Sequence, residues 1–223
     1  PLRIYTADKV LIGEFGEERR NVMRLDEIPD VMKSAILAAE DDRFYQHSGV
    51  DLKGIGRAVL ANLASGAKSQ GASTITMQVA RNFYLSSEKT YTRKFYELLL
   101  TFKIESMLSK DQILELYMNQ IFLGHRSYGF AAASRAYFGK PLTEITLAEA
   151  AMLAGIPRAP SRYNPIANYN EAKRQQVVVL RRMLNLGYIT PDEHQAALDQ
   201  AIEIRSAEGM PAGGYAIHGE YAA

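Results

Sequence analysis

Residues 29–49 read PDVMKSAILAAEDDRFYQHSG, and this stretch decides how the rest of the chain is read. Pro29 suits the first position of a helix, and Met32, Ile36 and Ala39 fall on one stripe. Glu40 lies four residues beyond Ile36, so it shares the apolar side near the C-terminal end of that helix. A carboxylate held there is partly desolvated. Its pKa is expected above the ordinary glutamate range, which makes it a better base at neutral pH.

Further along, the run Arg93-Lys94-Phe95-Tyr96-Glu97 supplies a second carboxylate. Between the two glutamates lies Gly71-Ala72-Ser73-Thr74-Ile75-Thr76-Met77-Gln78. A basic cluster of Arg81, Lys89, Arg93 and Lys94 follows. Lys89, Arg93 and Glu97 are spaced to line one helix face. That face admits two readings: a solvated surface with an Arg93–Glu97 ion pair, or a cradle for a diphosphate beside a carboxylate. Arg offers a fork to phosphate oxygens and Lys a point charge. A base and a set of cations are the parts that glycosyl transfer from a phosphate leaving group requires.

The segment from Gly71 to Thr76 has hydroxyls and backbone N–H groups at a helix start, which can hold an anion. Ser73 or Thr74 serves equally well as a plain helix cap. No Gly-Lys-Ser/Thr follows, so this is not a nucleotide-binding loop. His47 with Asp41 and Asp42 invites a metal reading, but His125, His194 and His218 show no ligand spacing, and His47 is better read as fixing its loop. Glu115 and Asn119 share a helix face and suit buried hydrogen bonds.

The flanking sequence is mainly helical. Residues 2–15 alternate around Ala7-Asp8-Lys9 and suggest a hairpin. Residues 52–64 predict a short amphipathic helix weakened by Gly54 and Gly56. Helices are expected over 72–84 and over 88–108, the longest, whose apolar residues are Phe95, Leu98, Leu99, Phe102 and Met107. Ser109 and Gln112 form a capping box before another, and Thr146 and Glu149 before a helix that Gly155 stops. Ala131–Tyr137, residues 170–186 and a segment from Thr190 to about Ala201 complete the set.

The chain has 223 residues, 47% hydrophobic and 23% charged, enough to bury a sizeable core. A net charge of +1 excludes a general electrostatic appeal to nucleic acid. With no cysteine, neither a disulfide framework nor a cysteine-ligated zinc site is available. No run approaches the ~20 apolar residues of a membrane helix. Starting at Pro1, the chain reads as a piece of a longer protein. The expected organisation is an N-terminal hairpin and linker over 1–28, a main domain over 29–205, and the start of a linker over 206–223.

Taken together, the runs resemble the glycosyltransferase family 51 domain of class A penicillin-binding proteins. Five segments occur in order: Glu40 to Gly49; Gly71 to Gln78 with Arg81-Asn82; Arg93 to Glu97; Lys110 to Asn119; and Gly129 to Lys140. The resemblance covers nearly the whole chain. It implies a mainly α, lysozyme-like, two-lobed glycosyltransferase domain with a small N-terminal β-hairpin appendage. The smaller lobe, a mobile membrane-proximal jaw, would include residues 50–70. The implied reaction polymerises lipid II, with Glu40 as general base and Glu97 assisting. The implied substrate-binding set is Asp41, Phe44, His47, Gly71, Ser73, Thr74, Gln78, Arg81, Asn82, Lys89, Arg93, Lys94, Glu115 and Asn119. A divalent cation, Mg2+ or Mn2+, would assist at the pyrophosphate without a dedicated ligand cluster.

The implied partners are lipid II and the growing glycan chain, a membrane surface met through the jaw and an upstream transmembrane helix, a downstream transpeptidase domain, and moenomycin as inhibitor. The implied location is the inner membrane, with the domain on its periplasmic side. Four positions depart from the family's usual pattern. Met77 replaces a Gln, Arg81 a Lys, Lys89 an Arg and Met118 a Leu. The Arg/Lys exchanges keep charge but change phosphate geometry. A muramidase-like glycan cleaver is the alternative, but a hydrolase has no need of the basic cluster.

Overall fold

The structure is a computed structural model that describes residues 2–5, 11–15, 19–20, 22–56, 73–83 and 91–205. The expected turn at Ala7-Asp8-Lys9, the jaw beyond residue 56, Gly71, Lys89 and the tail from residue 206 lie outside the described residues. At the N-terminus β1 (Leu2–Tyr5) pairs antiparallel with β2 (Leu11–Phe15), the hairpin read from alternation. A second pair, β3 (Arg19–Arg20) with β4 (Ser127–Tyr128), is parallel and was not foreseen.

The rest is helical. In chain order the helices are α1 (Asp30–Glu40), α2 (residues 52–56), α3 (Ile75–Phe83), α4 (Tyr91–Met107) and α5 (Lys110–Gln120). They continue with α6 (Phe130–Phe138), α7 (Leu147–Gly155), α8 (Tyr169–Asn185) and α9 (Pro191–Asp199). Helix α1 packs on α7 and α8, while α3 packs on α4 and α5. The shared core takes Met32, Ala35 and Ile36 from α1, Ile75, Val79 and Ala80 from α3, and Ile113, Leu114 and Tyr117 from α5. Helix α7 is buried almost all round, as its run of Ala, Met and Leu demands.

Local signals placed most boundaries. The Ser109–Gln112, Thr146–Glu149 and Thr190–Glu193 capping boxes all form, each hydroxyl accepting from the N–H three residues on. Two expectations are corrected. Pro29 is the cap residue before α1, not its first helical residue. Gly155 does not stop α7; it ends the helix with Ile156 as cap and stays in ordinary backbone. Its missing side chain serves packing instead, since a Cβ there would meet Gln175 Cγ at 2.6 Å. Gly129 carries both a φ of +80° and a carbonyl oxygen, that of Asn119, 2.6 Å from where its Cβ would be.

Helix α4 has inverted polarity. Glu97 and Thr101 are buried, while Phe95, Tyr96, Leu99, Phe102 and Met107 are exposed. The spacing of Lys89, Arg93 and Glu97 suggested a solvated basic face. Instead Glu97 turns inward toward α3, because Arg81 on α3 waits there as its partner.

Candidate active site

Glu40 is the last residue of α1, where the helix leaves carbonyls without intrahelical donors. Arg182, reaching from α8, donates to the Ala39 carbonyl at 2.8 Å. This satisfies one such group and sets a cation at the negative end of the helix. The Glu40 side chain is half-buried, and Gln78 Nε2 on α3 donates to its Oε2 at 2.7 Å. Burial pushes the Glu40 carboxyl above its ordinary range. The Gln78 hydrogen bond and the charges of Arg182 and Arg158 oppose that rise without cancelling it.

The next residue, Asp41, does different work. Buried, it accepts from the backbone N–H of Ile75 at 3.1 Å, at the start of α3, where the helix favours an anion. His47 Nε2 stands 2.9 Å from the same carboxylate. Asp41 thus clasps α1, α3 and the His47 loop together. Thr74 caps α3: its Oγ accepts from Met77 N at 3.2 Å and donates to the Gly49 carbonyl at 2.6 Å. Phe44 is core, with Lys110 stacked 4.4 Å over its ring.

The second carboxylate is buried at 1% exposure. Arg81 approaches Glu97 through two nitrogens, Nε to Oε2 and Nη2 to Oε1, both at 3.3 Å. Lys94 Nζ lies 2.5 Å from Oε1. The expected Arg93–Glu97 surface pair is therefore replaced by a buried carboxylate shared between Arg81 and Lys94. Burial pushes Glu97 up, but these hydrogen bonds and charges outweigh it and hold the carboxyl below its usual range. Arg81 Nη2 also donates to Ser73 Oγ at 3.3 Å.

A cleft of about 640 Å³ opens where these elements meet. Its walls include Glu40, Asp41, Ser73, Thr74, Gln78 and Arg81, which the sequence had marked. Glu97 and Lys94 are not among its walls; Glu97 holds Arg81, and Lys94 pairs with Glu97. Arg93 is half-buried on the same helix, and Asn82 is exposed at the end of α3. Glu115 and Asn119 are not brought to the cleft. Glu115 accepts from Leu25 N at 2.7 Å, and Asn119 exchanges two hydrogen bonds with the Met23 backbone. They pin the N-terminal segment to α5.

Sequence reasoning missed Arg158, Arg182 and Asp51, which also line the cleft, and weighed Asp42 only as a metal ligand. The one available signal for Arg182 was an arginine beside Met183 on an otherwise apolar stripe of α8. Among the described residues no group of three or more His, Asp or Glu is arranged to hold a metal ion.

A half-buried carboxylate and a held arginine line one cleft, the parts that glycosyl transfer from a phosphate requires. The chain belongs to the transglycosylase family, which matches residues 8–184. It is 56% identical over 202 residues to penicillin-binding protein 1A of Neisseria lactamica, covering 91% of this chain and 25% of that protein. The same-named protein of Haemophilus influenzae is 52% identical over 202 residues, covering 91% of this chain and 24% of that one. A crystal structure of penicillin-binding protein 1A from Haemophilus influenzae superposes with a TM-score of 0.56 at 33% identity, covering 92% of this chain and 21% of that chain. The glycosyltransferase family 51 assignment and the mainly α, lysozyme-like fold both stand. The chain spans about a quarter of the length of the curated relatives it matches.

Proposed function

We propose that this domain polymerises lipid II into peptidoglycan strands, with Glu40 as general base. The carboxylate of Glu40 takes the proton of the acceptor's GlcNAc 4-hydroxyl. That oxygen attacks C1 of the donor's MurNAc, and the C1–phosphate bond breaks with inversion. Undecaprenyl pyrophosphate leaves with the bonding electrons. Arg81, oriented by buried Glu97, neutralises the departing pyrophosphate, an effect worth several kcal/mol in comparable sites. Ser73, Thr74 and Gln78 line the donor side. A divalent cation would travel with the pyrophosphate rather than occupy a protein cage.

The single observation that carries this reading is Glu40 itself. It is half-buried, its carboxyl is raised above the ordinary range, and it lines the same cleft as Arg81. The exposed apolar side chains of Leu52, Phe95, Leu99 and Phe102 support contact with a lipid surface, where a polyprenyl-linked substrate resides. The name shared by the relatives supports a transpeptidase domain downstream and a place in the cell envelope, on the periplasmic side of the inner membrane. Moenomycin, as a donor mimic, is the expected inhibitor. The muramidase reading finds no support in a cleft lined by Arg81, Arg158 and Arg182.

The test is Glu40→Gln assayed with purified, labelled lipid II. Loss of polymer with an unchanged circular dichroism spectrum supports the assignment. Near-normal polymer from this variant sinks it.

A further inference from the structure

Tyr117 is fully buried in α5, and its hydroxyl must find a partner there. That partner is Gln78 Oε1, 3.4 Å away. The other end of the same amide, Nε2, donates to Glu40 Oε2 at 2.7 Å. A glutamine amide is a rotor whose two ends differ in chemistry. Facing Glu40 with Nε2, it favours the carboxylate. Turned over, it presents a carbonyl, which repels the carboxylate and accepts from the protonated acid. At its far end the rotor meets the Tyr117 hydroxyl over a long 3.4 Å.

We propose that Tyr117 is a positioning residue for the base: by donating to Gln78 Oε1 it locks the amide with Nε2 toward Glu40. This rests on Glu40 being the base. Burial, with the charges of Glu40 and Asp41, pushes the Tyr117 phenol well above its ordinary range, so the hydroxyl keeps its proton at any working pH. It is therefore a permanent donor, and the amide orientation does not vary with pH. Other charged groups also stand around Glu40. Arg182 comes from α8, Arg158 from the segment after α7, and Arg81 from α3. Asp41 and Asp42 follow Glu40 itself, and Asp51 precedes α2.

The substitution Tyr117→Phe removes the lock and keeps the ring. With the amide free to turn, the protonated form of Glu40 gains a hydrogen-bond acceptor and the carboxylate loses part of its donor. The Glu40 midpoint is expected to rise by about half to one pH unit, the size set by a fraction of one charge-assisted hydrogen bond. The midpoint is read in the chain without substrate, by carbon NMR of labelled glutamate, with the Glu40 signal identified by its loss in Glu40→Gln. The acid limb of kcat/KM for lipid II is expected to move upward by the same amount, with KM little changed. In a Gln78→Met background, Tyr117→Phe should move the midpoint no further. An unchanged midpoint in Tyr117→Phe, or an equal shift in the Gln78→Met background, overturns the proposal. The titration needs no turnover. Should Glu40→Gln prove fully active, the base assignment fails while the relay is still judged by the midpoint.

Discussion

Replacing Glu97 by Gln keeps the side-chain volume and removes one buried charge. The carboxylate is 1% exposed, whereas Arg81 and Lys94 retain 43% and 47%. Breaking a fully buried pair costs about 3–5 kcal/mol, because a charge is stranded. An exposed pair contributes roughly 0.2–1 kcal/mol. Here the stranded charges are the cations, and water reaches both of them. The Arg81 contacts are also long for charge-assisted bonds, at 3.3 Å. The loss therefore falls between the two limits, at about 1–2 kcal/mol, and lowers Tm by roughly 2–8 °C in a domain of this size. The pH dependence is sharper than the magnitude. The folded-state pKa of Glu97 lies below the ordinary 4.5, so the unfolded chain binds this proton first as pH falls. Its contribution is complete above the ordinary glutamate value and is lost as pH falls through the folded value. The Gln variant has no such proton. Thermal melts of both proteins across pH should show a gap widest near neutrality that closes in acid. A gap absent at neutral pH, or constant into the acid range, refutes the argument.

The sign reverses for Glu40, whose folded pKa is raised. Its charged form is disfavoured by the fold, so stability is greatest below the ordinary value of 4.5 and falls as pH rises through the folded value. Glu40→Gln is thus expected to raise Tm at neutral pH and not in acid; a lower Tm at neutral pH contradicts this. Gly129→Ala forces a Cβ to within 2.6 Å of a backbone oxygen at a φ of +80°, and a loss of about 3 kcal/mol or more is expected in denaturant titrations. Asn119→Ala removes hydrogen bonds to the Met23 N–H and carbonyl, and should lower stability by roughly 1–2 kcal/mol while leaving KM for lipid II unchanged. A KM raised tenfold or more would return Asn119 to the substrate site.

What the sequence made legible was local. Glu40 could be placed on the apolar side of α1 because Ile36 precedes it by one turn, and the capping boxes at Ser109, Thr146 and Thr190 are three-residue signals. The misreadings came from partners distant in sequence. Glu97 carries the i+4 pattern of a surface ion pair with Arg93, and only the packing of α4 on α3 turns it inward to Arg81. Arg182 follows Glu40 by more than a hundred residues, and no periodicity links the two. Tyr117 reads as one more apolar position of α5 until its hydroxyl is seen against Gln78. Glu115 and Asn119 were expected to make buried hydrogen bonds; the bonds they make are part-buried, and their spacing could not tell that these go to residues 23–25.

The two carboxylates end with opposite electrostatics, and the difference assigns their work. Glu40 has one short donor, Gln78, and cations held at the cleft wall; desolvation prevails and the acid form is within reach. Glu97 is buried more deeply, yet two cations converge on it and its proton is driven off. Where environments push two carboxyl pKa values apart, the raised group is suited to move a proton and the lowered one to remain charged. A Glu97 that exchanged protons would release Arg81 each time it did so, and in the proposed reaction that arginine must stay fixed as the pyrophosphate departs. The buried carboxylate behind the wall and the half-buried one on it are therefore not interchangeable, although both sit beside arginines. The side chains that separate them are Lys94, which donates to Glu97, and Gln78, which donates to Glu40.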